Sequence, residues 1–399
     1  MNERADVAVI GGSVAGAATA IYLARAGRNV VVIDRASFPR DKPCGEGIMP
    51  PGVDLLAELG VLDRVRAAGA RDLAGVRYAL PDGRTAAAAF PVPGNGRARW
   101  GLGVARLALD AILLDEARRS GACVIERFHA RELRRNGADE WVISDGQRQI
   151  RARALVGADG VHSRVRSWLG WNVRWRFPRR WAVVGHYALP PGEEIAPEVL
   201  VVLARGCEAY LTPLGDGRVL VALLGGRGLM RHMRGDLANG YARVVGTLQP
   251  LRERLGRALP LPGVRATGPF AARARRVAGS GVLLVGDAAG FLDPITGQGI
   301  VTALAQARAA ARTIDRALTL PGPLDLSAYA VEHRRLSTTG TRLTWLALAL
   351  CASPRFEDRA MRGLQTRPGL FEKLLAINCG RAGLRSLAPR DWAALLLGL

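Results

Sequence analysis

Lysine is almost absent from this sequence: Lys42 and Lys373 are the only two among 399 residues, so arginine carries the net charge of +21. The five cysteines are odd in number, and none of them forms a C-x-x-C pair. This usage excludes a disulfide framework and a structural zinc site, so we expect a reduced protein without a metal. No apolar run reaches the roughly 20 residues of a membrane span. The N-terminal residues lead directly into a polar turn and a strand, so we expect no signal peptide and a cytoplasmic location.

The excess of positive charge points to two classes of partner, nucleic acid and an anionic membrane surface. No zinc-finger spacing or basic helix with interleaved aromatic residues is present, so we expect no nucleic-acid partner. From Arg334 onward there are eleven basic and four acidic residues, net +7 (11 − 4), and the chain ends in an apolar tail with Trp392. This segment predicts peripheral contact with the inner face of the membrane. The alternatives are a tail docked on the protein body and an arginine content set by genomic composition.

The first 34 residues have the pattern of a βαβ unit that binds a dinucleotide. A strand (6–10), the sequence GGSVAG, a helix (17–26) and a second strand (29–33) follow one another. Gly11 allows a tight turn, Gly16 allows close packing of helix on strand, and Ser13 replaces the usual middle glycine. Asp34 ends the second strand, where an acid receives the adenosine ribose hydroxyls. A bound adenine dinucleotide, FAD or NAD, follows from this pattern.

The stretch 281–308 repeats the order of strand, acid, glycine loop and helix. The apolar run 282–285 ends at Asp287, a loop with little side-chain bulk contains Pro294, Gly297 and Gly299, and a helix covers 300–318. A helix start of this kind directs free N–H groups and a positive dipole end at its ligand. The acid can accept hydrogen bonds from hydroxyl groups, and the helix dipole can stabilise an anion. A reduced flavin with its ribityl chain offers both groups. The alternative is an ordinary strand-to-helix crossover.

Three further segments contain candidate cofactor ligands. The sequence GADGVHSRVR follows a short strand (154–156) and places Asp159 and Gly160 at its end. Arg106 lies near the start of a predicted helix (103–119) and is either a phosphate ligand or a solvated arginine. Cys44 and Gly45 belong to a proline-rich loop that either flanks a flavin or only connects two elements.

Residues 174–270 differ in character, because short alternating strands (181–187, 199–203, 209–212 and 219–224) are separated by turns rich in Gly, Pro and Asp. This pattern predicts a mostly antiparallel sheet inserted into the Rossmann-like fold, joined by a hairpin at 76–90. The predicted fold class is therefore α/β, with a discontinuous Rossmann-like FAD-binding domain, an inserted β-sheet substrate domain and a C-terminal helical region. The predicted pieces are 1–75, 101–170 and 273–322 for FAD binding, 76–100 and 171–272 for the substrate domain, and 323–399 for the helical region.

The three glycine-acid motifs, in this order and at these spacings, resemble the superfamily of FAD-dependent single-component monooxygenases, geranylgeranyl reductases and flavin-dependent halogenases. The resemblance covers residues 1 to about 320. It implies that Asp287 holds the ribityl hydroxyls, that Asp159 lies on the pyrophosphate side, and that Arg106 reaches the FAD phosphates. The implied cofactor-binding residues are Gly11, Ser13, Val14, Ala15, Gly16, Asp34, Arg35, Cys44, Gly45, Arg106, Asp159, Gly160, Asp287, Pro294, Gly297, Gln298 and Gly299.

The resemblance leaves several reactions open. Halogenases have a W-x-W-x-I-P strand and a lysine that handles hypohalous acid; the segment 208–213 lacks both tryptophans, and neither lysine fits. We therefore predict an NAD(P)H-dependent monooxygenase of secondary metabolism that uses dioxygen to hydroxylate an electron-rich, hydrophobic aromatic molecule. The alternatives are a reductase of isoprenoid double bonds and a non-catalytic flavoprotein.

The catalytic candidates of this monooxygenase are His186, Tyr210 and Thr212. His186 is the candidate acid–base group, although a packed strand histidine is more common. Tyr210 and Thr212 share one face of their strand with Glu208. Either this face or the opposite one, with Ala209 and Leu211, lines the substrate pocket.

Overall fold

The structure is a computed structural model, and it describes residues 2–92, 98–137, 140–173, 177, 179–367 and 369–398. In chain order the strands are β1 (Asn2–Ile10), β2 (Val30–Ile33), β3 (Gly47–Ile48), β4 (Arg71–Leu73), β5 (Gly75–Ala79), β6 (Thr85–Ala89), β7 (Gly101–Gly103), β8 (Cys123–Ile125), β9 (Glu132–Asn136), β10 (Glu140–Ser144), β11 (Gln149–Gly157), β12 (Trp181–Ala188), β13 (Glu198–Ala204), β14 (Cys207–Pro213), β15 (Arg218–Gly225), β16 (Leu259–Pro260), β17 (Arg265–Thr267), β18 (Ala272–Arg273), β19 (Ala278–Gly279), β20 (Val282–Leu284) and β21 (Gly290–Phe291).

The helices, in chain order, are α1 (Val14–Arg25), α2 (Pro50–Glu58), α3 (Leu62–Ala67), α4 (Arg106–Arg119), α5 (Arg164–Trp168), α6 (Arg227–His232), α7 (Leu237–Thr247), α8 (Gln249–Leu255), α9 (Gly299–Leu318), α10 (Tyr329–Leu350), α11 (Pro354–Thr366), α12 (Leu370–Asn378) and α13 (Pro389–Leu397). Short 3-10 turns lie at Gly286–Ala288, Pro294–Thr296 and Leu384–Ser386.

One sheet has a parallel centre with the order β20-β11-β1-β2-β8, and antiparallel strands extend its margin. The central strands are buried on both faces, because α1, α4 and α9 cover one face and β10, Phe128 and α5 pack against the other. This burial explains their runs of Val, Ile, Leu and Ala. Helices α1 and α9 pack on each other against one face. The carboxyl ends of β1, β2, β11 and β20 thus meet at one edge, where such sheets bind ligands.

A second sheet has the order β16-β12-β15-β14-β13-β5-β6, with β17 beside β12. Every neighbouring pair is antiparallel except β13 with β5, so the hairpin β5–β6 joins the sheet through a parallel contact. Helices α7 and α8 cover one face, and α10 to α13 lie toward the other. The predicted fold class, a Rossmann-like domain with an inserted, mostly antiparallel sheet and a helical C-terminal region, is confirmed.

The helical region packs on the body of the protein. Helix α10 is 22 residues long, yet no helix among the described residues combines the length and the apolar character needed to cross a bilayer. Helix α13 buries Ala394 and Leu395 and leaves Leu396 and Leu397 exposed. The C-terminal tail is therefore docked on the body through one face only.

Candidate functional site

A cavity of about 370 Å³ lies between the carboxyl edge of the parallel sheet, the inner face of the second sheet and the C-terminal helices. The N-termini of α1 and α9 lie in its wall at one end. The wall at the other end is apolar, and its residues include Val199, Val201, Leu203, Leu343, Leu346, Leu350, Met361, Leu364, Phe371, Leu374, Leu375 and Leu395. The volume is typical of a small-molecule site.

The start of α1 is shaped for close approach of a phosphate. A Cβ atom on Gly16 would lie 1.8 Å from the carbonyl oxygen of Gly11, and one on Gly11 would lie 2.4 Å from that of Ala158. These glycines therefore let helix and strands meet without side chains between them. Ser13 does not cap the helix with its side chain, and Val14 and Ala15 line the cavity. The first N–H groups of α1 are consequently available to an anion.

Arg106 is held against this helix start by a buried network. Its guanidinium donates to both carboxylate oxygens of Asp110 at 2.8 Å and to the Ser13 hydroxyl at 2.8 Å. The Ser13 hydroxyl donates in turn to Asp110 at 2.7 Å. Arg106 is 5 % exposed and lines the cavity, so the alternative of a solvated arginine is wrong. Its contact with the FAD phosphates stays a prediction.

Asp34 lies at the end of β2, outside the cavity wall. One carboxylate oxygen accepts the N–H of Gly12 and the other accepts that of Ala36, both at 2.8 Å. A carboxylate has further acceptor positions, so Asp34 retains capacity for a pair of hydroxyls. The neighbouring Arg35 is exposed. The predicted adenosine end is thus a buried acid with an exposed guanidinium next to it.

Asp159 also lies at a strand end, but α5 uses its carboxylate. One oxygen accepts the hydroxyl of Ser163 at 2.5 Å, and the other accepts the N–H groups of Arg164 at 2.7 Å and Val165 at 3.1 Å. Gly160, the next residue, has φ +84° and lines the cavity. This geometry makes Asp159 a residue that fixes the turn, while the backbone at Gly160 faces the ligand.

Asp287 occupies a 3-10 turn directly after β20 and lines the cavity. The ammonium group of Lys42 lies 3.8 Å from its carboxylate, a contact that sequence reasoning missed. Gly286 has φ +58°, and its N–H donates to Gln306 of α9 at 2.8 Å. The turn is therefore tied to the helix that follows it, and the acid stays at the cofactor end of the cavity.

The loop before α9 places three of its four predicted cofactor ligands in the cavity wall. Pro294, Gly297 and Gly299 line the cavity. Gln298 is not among the lining residues of the described chain, because its amide donates to the backbone and side-chain oxygens of Asn378 at 2.5 Å. Its side chain thus anchors the loop to α12, and its predicted contact with the cofactor stays a prediction.

Glu46 is a functional candidate that sequence reasoning did not select. It is 2 % exposed, and its backbone has φ +55°, which is unusual for a residue with a side chain. One carboxylate oxygen accepts the N–H of Arg106 at 2.8 Å, and the other lies 2.9 Å from Nε2 of His186. The signal available in the sequence was a carboxylate between two glycines, Gly45 and Gly47.

His186 lies on β12 and reaches the cavity only through Glu46. Glu46, Cys44 and Gly45 are lining residues, whereas His186 is not one among the described residues. The hydrogen bond with Glu46 raises the pKa of His186 above its ordinary value, against the opposing effect of burial. The pair therefore holds a proton directly behind the cavity wall. The catalytic role of His186 stays a prediction.

Tyr210 and Thr212 line the cavity, whereas Ala209 and Leu211 pack on the opposite side of the sheet. Both hydroxyls have partners in the loops at the cofactor end. Tyr210 donates to the carbonyl oxygen of Ile295 at 3.3 Å, and Thr212 donates to that of Gly45 at 2.8 Å. Burial also raises the pKa of Tyr210 well above its ordinary value.

Glu208, on the same face of β14, does not reach the cavity wall formed by the described residues. Its carboxylate lies 2.5 Å from the guanidinium of Arg180, which also lies 3.4 Å from Asp293. Burial raises the pKa of both carboxyl groups. This buried cluster joins the second sheet to the loop before α9 and leaves no free carboxylate on β14 for a phenol.

Comparison with known proteins shows the family to which the chain belongs. The model of an FAD binding domain matches residues 4–195. A menaquinone reductase of Mycolicibacterium smegmatis is 32% identical over 385 residues, which cover 89% of this chain and 87% of the relative. Digeranylgeranylglycerophospholipid reductase 2 of Methanopyrus kandleri is 30% identical over 327 residues, which cover 78% of this chain and 77% of the relative.

A solved flavoprotein/dehydrogenase from Cytophaga hutchinsonii shares the fold, with a TM-score of 0.84, 21% identity and coverage of 99% of this chain and 97% of that chain. The cavity provides two helix N-termini, the carboxylate of Asp287 and glycine-rich close approaches, which together fit FAD. The chain therefore belongs to the superfamily of FAD-dependent monooxygenases, geranylgeranyl reductases and flavin-dependent halogenases, and it is an FAD-binding oxidoreductase.

Proposed function

We propose that the protein is an FAD-dependent reductase that saturates a carbon–carbon double bond in the isoprenoid chain of a lipid. The observation that carries this proposal is the cavity itself, which extends from the N-termini of α1 and α9 to an apolar end at the C-terminal helices. We call this end, which is lined by residues such as Leu343, Leu346 and Leu364, the apolar chamber. An extended hydrocarbon chain gains about 0.8 kcal/mol for each CH₂ group that it buries in such surroundings.

The polar groups near the cofactor end argue in the same direction. Hydroxylation of a phenol calls for side chains that orient the phenol and accept its proton. The hydroxyls of Tyr210 and Thr212 donate to loop carbonyl oxygens, and Glu208 is paired with Arg180. These residues support the loops around the cofactor, so the prediction of an aromatic hydroxylase loses its candidate substrate ligands. The names of the relatives, a menaquinone reductase and digeranylgeranylglycerophospholipid reductases, favour reduction as well.

Saturation adds a hydride to one carbon and a proton to the other. FAD, reduced by NAD(P)H, supplies the hydride when it is bound. The N–H groups at the start of α9 stabilise negative charge at the cavity wall. The apolar chamber excludes water and holds the isoprenoid chain of the lipid in an extended form. The proton at Nε2 of His186 is shared with Glu46, and Glu46 borders the cavity, so this pair is our candidate proton reservoir.

The test is product analysis after incubation of the FAD-loaded enzyme with NAD(P)H and two lipids, a menaquinone and a digeranylgeranyl glycerophospholipid. The proposal requires a product with two added hydrogen atoms in its isoprenoid chain, formed equally well without dioxygen. A product that contains one labelled oxygen atom from labelled dioxygen, and that is absent under anaerobic conditions, would establish the hydroxylase instead.

A matched pair of variants tests the role of the chamber. Leu346 lines the apolar end of the cavity, and Leu320 is 60% exposed in a loop after α9. Leu346→Trp should narrow the chamber and shift activity toward lipids with shorter chains. Leu320→Trp, the same substitution outside the cavity, should leave the chain-length preference unchanged. If both variants prefer the same chain length, the chamber does not bind the isoprenoid chain and this part of the proposal is wrong.

A further inference from the structure

Helices α11 and α13 form an antiparallel pair at the surface. A Cβ atom on Gly363 would lie 2.2 Å from the carbonyl oxygen of Ala394, and one on Gly398 would lie 3.2 Å from that of Arg359. The start of α11 therefore lies next to the end of α13. At the other end of the pair Arg367 forms an ion pair with Asp391 at 3.2 Å, which confirms the antiparallel arrangement.

The start of α11 and the end of α13 together expose apolar side chains. Phe356 is 42% exposed, Leu396 is 42% exposed and Leu397 is 54% exposed. We call these three residues, with Arg355 and Arg359, the α11–α13 patch. Exposed apolar side chains that cluster in this way mark a surface for interaction with a partner.

The charges of the patch are positive and free of counter-charges. Among the described residues no carboxylate forms an ion pair with Arg355 or Arg359. The two acids of the same turn are engaged elsewhere: Asp358 pairs with Arg84 and Arg362, and Glu357 faces the cavity. The complementary partner therefore offers both negative charge and an apolar phase.

The same two helices form a wall of the apolar chamber. Glu357, Met361 and Leu364 of α11 and Leu395 of α13 line the cavity. On α11 Arg355 and Arg359 lie on the side opposite these lining residues and Phe356 lies beside it, and on α13 the next two residues, Leu396 and Leu397, are exposed. An apolar surface in contact with the patch is thus separated from the chamber by one layer of helices.

We propose that the α11–α13 patch docks the protein on an anionic lipid bilayer, so that an isoprenoid lipid passes from the membrane into the chamber. The passage of substrate rests on the proposed function, whereas the docking does not. Phe356, Leu396 and Leu397 enter the interface between head groups and acyl chains, and Arg355 and Arg359 pair with lipid phosphates. A second copy of this chain is a poorer occupant, because it would bring the same positive charges face to face.

The test of docking is flotation of the FAD-loaded protein with vesicles of pure phosphatidylcholine and with vesicles that also contain phosphatidylglycerol. Binding should require the anionic lipid and weaken at high salt, which screens charges at the surface. Arg355→Gln with Arg359→Gln should lower the affinity about thirtyfold, from roughly a fivefold loss for each basic residue near the surface. Phe356→Ser with Leu397→Ser removes two apolar side chains of the patch and should abolish flotation.

The control variants carry substitutions of the same kinds at exposed positions outside the α11–α13 patch. Arg134→Gln with Arg231→Gln removes two exposed arginines distant in sequence from the patch, and Leu259→Ser replaces a leucine that is 69% exposed on β16. Both controls should float like the wild type. Equal loss in the control and patch variants, or equal flotation with both kinds of vesicle, would overturn the proposal. Concentration-dependent dimerisation that Phe356→Ser abolishes, with unchanged flotation, would assign the patch to a second copy and also overturn it.

Activity separates this proposal from the proposed function. The patch variants should reduce a lipid dispersed in detergent at the wild-type rate and should lose activity on the same lipid embedded in anionic vesicles. No reduction in detergent by the wild type or the variants, together with flotation of the wild type that the patch variants lose, would contradict the proposed function and leave docking supported. Normal turnover of vesicle-embedded lipid by patch variants that no longer float would overturn docking as the route of substrate entry.

Discussion

Replacement of Glu46 by Gln tests the buried pair behind the cavity wall. The amide of Glu46→Gln keeps the size of the side chain, and its oxygen can still accept the N–H of Arg106. It cannot pair with a protonated His186 through a negative charge. Because the hydrogen bond with Glu46 raises the pKa of His186 in the folded protein, this pair stabilises the folded state fully below the unfolded pKa, about 6.5. The contribution is lost as the pH rises through the raised folded-state pKa.

The size of the effect follows from the contacts. Glu46 is buried, and the side chain of His186 is 22% exposed, so water screens the pair only in part. A hydrogen bond to a charged group contributes about 1.5–3 kcal/mol. Glu46→Gln should therefore lower the free energy of unfolding by about this amount at pH 5.5, and the difference from wild type should shrink toward pH 9.

The assay is urea denaturation of the FAD-saturated protein across this pH range, followed by circular dichroism. Glu332→Gln is the control, because it breaks an exposed ion pair with Arg335 and should leave the pH profile parallel to that of the wild type. A difference between wild type and Glu46→Gln that is constant at every pH would refute the assignment of a shared proton to this pair.

Three further variants test other parts of the site. Asp287→Ala should weaken FAD binding roughly tenfold to a hundredfold, because hydrogen bonds to a charged acceptor contribute about 1.5–3 kcal/mol; Asp63→Ala, an exposed acid on α3, should leave FAD titrations unchanged. Tyr210→Phe should keep lipid turnover within about tenfold of wild type, since its hydroxyl donates to a backbone carbonyl and a neutral hydrogen bond contributes only about 0.5–1.5 kcal/mol; a loss beyond about a hundredfold would restore a catalytic hydroxyl. Gly16→Ala should yield protein without flavin absorbance, because its Cβ meets a backbone oxygen, while Gly228→Ala, which meets nothing within 4 Å, should bind FAD normally.

Local patterns were sufficient to predict most of the fold. The strands that carry Asp34 and Asp287 are short apolar runs that end in an acid, and the glycines around α1 have close contacts that only glycine permits. Alternation along β14 predicted correctly that Tyr210 and Thr212 share a face. These features depend on residues that are close to one another in the sequence, so local sequence patterns are enough to predict them.

The contacts that define the site depend on neighbours in space, and periodicity does not encode them. Glu46 and His186 are 140 positions apart, and Gln298 and Asn378 are 80 positions apart. The hydroxyl of Tyr210 faces the cavity, but its carbonyl partner at Ile295 belongs to another element. Strand alternation gives the direction of a side chain and not its partner, so the sequence did not predict the carbonyl partners of these hydroxyls.

The most direct test of the account is a single turnover without dioxygen. The FAD-loaded enzyme is reduced stoichiometrically under nitrogen and mixed with menaquinone in detergent, and the flavin absorbance is followed while the lipid is analysed by mass spectrometry. We expect reoxidation of about one flavin for each lipid whose isoprenoid chain gains two hydrogen atoms that persist after the quinone ring is reoxidised in air. A flavin that stays reduced until dioxygen is admitted, with the lipid unchanged or oxygenated, would contradict it.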